Sequence, residues 1–69
     1  MTTALEHDIL AELREHDLEV RQLRAKLRAR GHSAGHEEVY GRLVHLEAMR
    51  EVRLVVLGQE SAKRMWGAR

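Results

Sequence analysis

The stretch LEVRQLRAKLRARGHSAGHEEVYGRLVHLEAMREVRLVVLGQESAKRMW, residues 18 to 66, decides the fold. Val20, Leu23 and Leu27 recur at helical spacing, which predicts a helix over 19–30 with one apolar stripe. Gly31 suits the left-handed residue that closes such a helix, and Ser33 is a candidate cap for the next one. Val39, Leu43 and Leu46 then predict a second helix over 34–49. At Val52 the pattern changes. Residues 52–57 are rich in Val and Leu, 58–61 read as a turn, and 62–66 can return as a second strand.

Upstream, Leu5, Ile9 and Leu13 at four-residue spacing, with Leu10 alongside, predict a helix over 4–16. Thr2 or Thr3 can cap it, and Glu6 and Asp8 suit the positive end of its dipole. His16 and Asp17 interrupt the pattern. Leu18, apolar between polar neighbours, fits a short bridging strand or an extended link.

All 69 residues fit one domain, mainly α with a small β-hairpin. Such a chain has no room for a deep substrate cleft. The composition, 43% hydrophobic and 33% charged, is globular rather than disordered. With no cysteine, disulfides and thiolate metal sites are excluded. The longest aliphatic run, Leu54 to Leu57, is far below the roughly 20 apolar residues of a membrane span, and residues 1–4 lack the basic region of a signal peptide. These features point to a soluble, cytoplasmic protein.

The net charge of +1 hides an asymmetry. Residues 1–17 carry five acidic side chains against Arg14, a net −4, whereas residues 18–69 carry eleven Arg and Lys against six Glu, a net +5. That split suggests a basic face for an anionic partner and an acidic face turned away from it. Ordinary solvated helix surface is the alternative.

The run Val39-Tyr40-Gly41-Arg42-Leu43-Val44-His45-Leu46-Glu47, with the preceding Leu23 and Leu27 and the following hairpin, resembles the recognition-helix region of winged-helix transcription regulators, closest to the PadR-like group. In that group Gly and an apolar residue usually separate recognition helix and wing, where this chain has Arg50 and Glu51. The resemblance implies a three-helix winged helix-turn-helix whose helix 34–49 enters the major groove of double-stranded DNA, and whose hairpin is a wing on the backbone.

On that reading Ser33, His36 and Tyr40 contact phosphates or bases from the amino end of the recognition helix. Gly41 lets the helix approach the groove closely; the alternative is a merely tolerated helix glycine. Glu37 is a candidate base reader, since a carboxylate accepts from cytosine N4, and both Glu37 and Glu38 also suit a helix first turn. Arg21, Arg24 and Arg28 fall within an arc of roughly 60 degrees and can clamp phosphates, although Arg24 can equally lay its stem along the core edge. Lys63 and Arg64 reach the backbone or minor groove from the wing. Trp66 is expected to pack over the sheet edge and the helices.

His32 and His36, four residues apart, raise the question of a metal, but no carboxylate completes a motif, so no cofactor or metal is expected. No nucleophile, base and orienting group converge at a recognisable spacing, which argues against an enzyme. The leading expectation is a small sequence-specific DNA-binding protein, a transcriptional regulator or mobile-element accessory factor, acting as a homodimer or cooperative array. The alternative is a protein-interaction module that docks through Gly41, Val44 and Ala48 or through the hairpin edge.

Overall fold

The computed structural model describes residues 3–58 and 63–69. Three helices, α1 (Ala4–Glu15), α2 (Val20–Ala29) and α3 (His36–Ala48), precede two antiparallel strands, β1 (Val52–Leu57) and β2 (Lys63–Ala68). The protein is therefore mainly helical with a small hairpin. No described helix is long and apolar enough to cross a membrane.

Helix α1 begins in a capping box. The Thr3 hydroxyl accepts from the Glu6 N–H at 3.2 Å, and Glu6 Oε1 accepts from the Thr3 N–H at 3.2 Å. His16, expected as the last helical residue, is already extended with φ −150°. Helix α2 ends with Gly31 at φ +94°, whose N–H reaches the Arg28 carbonyl while the His32 N–H reaches Leu27, a full Schellman closure. Glu19 and Arg30, expected inside α2, are its flanking caps.

Helix α3 differs more from expectation. Its cap is Gly35, extended at ψ 176°, and the helix starts at His36 rather than 34. Ser33 is thus not the cap. Residues 32–35 form a link without regular structure, in which Ala34 packs against the core and Gly35 is extended. Its far end closes with Arg50 in the left-handed region at φ 61°, where the Arg50 N–H reaches Glu47 and the Glu51 N–H reaches Leu46, both at 2.9 Å.

Strand β2 runs further than 66. Gly67 pairs with Arg53 and Ala68 with Val52, while the expected residue 62 and most of the expected turn lie outside the described residues. Leu18 forms a single antiparallel bridge to Trp66, with both backbone bonds made at 2.8 and 2.9 Å. The order across the sheet is therefore Leu18, β2, β1, which leaves β1 on an edge.

One core joins these parts. Ile9, Leu10 and Leu13 of α1, Leu23 and Leu27 of α2, and Val39, Leu43 and Leu46 of α3 close on Leu18, Val52 and Trp66. A ten-residue helix such as α2 is marginal alone. Its two fully buried leucines, at about 1.5–3 kcal/mol each, fix it in place.

A polar clamp sets how the α2–α3 link lies on α1. Arg30 Nε donates to Glu12 at 2.6 Å and its Nη1 to Asp8 at 3.3 Å, while His32 Nε2 lies 2.6 Å from the other Asp8 oxygen. The His32 hydrogen bond, then the Arg30 charge, hold the Asp8 carboxyl below its ordinary range. Part of the acidic amino end is thus used as an internal partner rather than as a free surface.

Candidate nucleic-acid interface

The start of α2, the first half of α3 and the hairpin enclose a groove of about 460 Å³. Glu19, Val20 and Arg21 form the α2 wall, His36 and Tyr40 the α3 wall, and Leu54, Lys63, Arg64 and Trp66 the hairpin wall. The Leu18–Trp66 bridge explains the arrangement, because it draws the chain just before α2 onto β2 and so brings Arg21 toward Lys63 and Arg64.

Three rings are ordered along one side. His36 and Tyr40, one helical turn apart, are parallel within 7° at 6.1 Å, and Tyr40 meets Trp66 edge-on, at 84° and 6.1 Å. Trp66 is buried, whereas Tyr40 keeps 44% of its surface exposed. The Tyr40 ring is therefore held from two sides and open on the groove.

Arg21 also borders a second, shallower groove of about 220 Å³ along α2, shared with Arg24, Ala25 and Arg28. Arg21 and Arg28 are exposed. Arg24 is half-buried, and its Nε is buried with no hydrogen-bond partner among the described residues. Among the described residues Arg21, Arg24, Arg28 and Arg64 make no ion pair, whereas Lys63 Nζ lies 3.4 Å from Glu19.

Of the ten residues singled out in the sequence, Arg21, His36, Tyr40, Lys63 and Arg64 share the first groove, and Arg24 and Arg28 line the second with Arg21. Ser33, Glu37 and Gly41 are exposed but line neither. Nothing lies within 4 Å of a Cβ built on Gly41, so no intramolecular contact requires glycine there.

The chain matches no family model, no curated protein and no solved structure. Its own geometry therefore carries the functional argument. Four groove residues were not among the ten singled out in the sequence; Val20 was expected to face the core and Trp66 to pack over the sheet edge and the helices. Glu19 looked like a helix-start residue, and Leu54 like an interior strand position. Leu54 reaches the groove as the cross-strand partner of Trp66, a register that residue type alone does not supply.

His32 and His36 do not converge on a shared site, since His32 bonds Asp8 and His36 stacks on Tyr40. Among the described residues no group of three or more His, Asp or Glu side chains is placed to hold a metal ion.

Proposed function

We propose that the chain is a small winged-helix protein that binds double-stranded DNA, a transcriptional regulator or mobile-element accessory factor, without enzymatic activity. Helix α3 enters the major groove, the hairpin is the wing, and α2 runs along the phosphates. The observation that carries this reading is the cationic run Arg64, Lys63, Arg21, Arg24, Arg28, continuous because Arg21 borders both grooves. Arg21, Arg28 and Arg64 have no carboxylate partner among the described residues, and such guanidinium groups can replace the counterions of a phosphate backbone. The element order, and the bridge that adds Leu18 to the hairpin as a third strand, support the winged-helix assignment.

A single module of this size touches few bases, so specific recognition uses two copies on paired half-sites. The test is the double substitution Arg21→Ala with Arg28→Ala, read by fluorescence anisotropy on a labelled duplex. Weakened binding with an unchanged circular dichroism spectrum supports the reading. Unchanged affinity overturns it.

A protein-docking module is the second reading, favoured by the exposed Val44 of α3, Met49 just after it, and Leu54, Val56 and Leu57 of β1. Loss of a partner on Val44→Asp, with DNA affinity indifferent to Arg21 and Arg28, would select it.

A further inference from the structure

We infer that the groove between α2, α3 and the hairpin takes one unpaired nucleotide, with its base laid against Tyr40 and its phosphate on Arg21 and Arg64. Phosphates of an intact duplex need only an exposed cationic ridge, such as Arg21 and Arg28 form on α2. The larger groove is different in kind. Its lining joins the apolar and aromatic Val20, Tyr40, Leu54 and Trp66 to the cationic Arg21, Lys63 and Arg64, with the Glu19 carboxylate beside Lys63. That combination fits a flat ring joined to an anion. The volume of about 460 Å³ lies within the range of roughly 300–1,000 Å³ found for small-ligand sites.

Preorganisation points the same way. Tyr40 is fixed between a parallel His36 and a perpendicular Trp66, contributed by different elements, yet it is 44% exposed. A base that stacks there meets a ring already held in place, and so costs little ordering entropy. Stacking of an extruded or terminal base on one aromatic face is the usual way proteins take bases that are not paired. Lys63, held by Glu19, is the cation less available to the phosphate.

This inference rests on the groove being a nucleic-acid surface, and its test separates the two claims. The full chain is titrated by NMR with deoxyadenosine monophosphate, with deoxyribose phosphate as the control lacking a base, and with a blunt duplex. Saturable shifts at His36, Tyr40, Leu54 and Trp66 are expected with the nucleotide, together with binding of the base-free control at least about tenfold weaker. Tyr40→Ala should weaken the nucleotide by about 5- to 150-fold, the equivalent of the roughly 1–3 kcal/mol of a stacked base. Tyr40→Phe should retain it.

Equal binding of nucleotide and deoxyribose phosphate would overturn the inference and leave only a phosphate site. So would a nucleotide that shifts nothing while the blunt duplex binds, a result that leaves the duplex reading standing. If neither binds, both fall. A duplex with a single-nucleotide overhang identifies the source. Preference for it over the blunt duplex, abolished by Tyr40→Ala, assigns the site to a strand end, and no preference with the mononucleotide still bound assigns it to free nucleotide.

Discussion

Lys63 Nζ lies 3.4 Å from the Glu19 carboxylate, joining the cap of α2 to the first residue of β2 across one wall of the groove. Glu19 is the only carboxylate among the described residues of that lining, so it offsets a positive charge where the proposed ligand carries a negative one. Replacing it should release Lys63 for phosphate. Glu19→Gln is expected to raise affinity for random-sequence duplex by up to about fivefold, the scale of an exposed ion pair of roughly 0.2–1 kcal/mol. A fluorescence anisotropy titration checks this, and a weaker complex would mean that Glu19 contributes to binding instead of opposing it.

Gly41 separates the needs of the fold from those of a partner. It sits inside α3, exposed, with open space where a Cβ would project. Gly41→Ala should therefore stabilise the protein by about 1 kcal/mol, a rise in Tm of about 4–8 °C for a domain of this size. Thermal melting measures that gain. If α3 lies close against DNA, the same substitution lowers duplex affinity. An alanine variant that is more stable and binds equally well would remove Gly41 from the interface.

The two Schellman closures make opposite predictions. Gly31 occupies the left-handed position after α2 at φ +94°, whereas Arg50 occupies it after α3 at φ 61°. A residue with a Cβ costs roughly 1 kcal/mol there. Arg50→Gly should thus raise stability by about that amount, and Gly31→Ala should lower it similarly. Chemical denaturation of the two variants gives the comparison, and a destabilised Arg50→Gly would show that the Arg50 side chain makes contributions beyond its backbone angle.

Asp8 gives the fold an acid-sensitive link. Its carboxyl is held below the ordinary range by His32 and then Arg30, so the folded state favours the charged form. The resulting stability is present above the unfolded carboxyl pKa of about 3.9 and is lost as pH falls through the lower folded value. Melting curves should show Asp8→Asn below the parent at neutral pH, with the gap closing progressively under about pH 4. A gap of constant size down to strong acid would remove the charge of Asp8 as its source.

The periodic apolar positions made the helices legible, because Ile9, Leu13, Leu23, Leu27, Val39, Leu43 and Leu46 repeat at the spacing that one buried face requires. The start of α3 was less so. Ser33 has the chemistry of a cap, yet the cap is Gly35, and Ala34 between them packs against the core, a tertiary contact that no local pattern announces. Partners distant in sequence were hidden as well. Arg30 meets Glu12 and Asp8 across 18 and 22 residues, a pairing set by the α1–α2 packing rather than by any local pattern. In the same way, the individual cations of the groove were readable from residue type, but their assembly depends on the Leu18–Trp66 bridge.

Fluorescence anisotropy of random-sequence duplex against protein, repeated across salt concentrations, tests the proposed DNA-binding role most directly. The account predicts that log affinity falls linearly with log salt, at about −0.9 for each phosphate contact. The slope should become shallower by about 0.9 on Arg21→Ala and again on Arg28→Ala. No binding at low salt, or a slope unchanged in both variants, would contradict it.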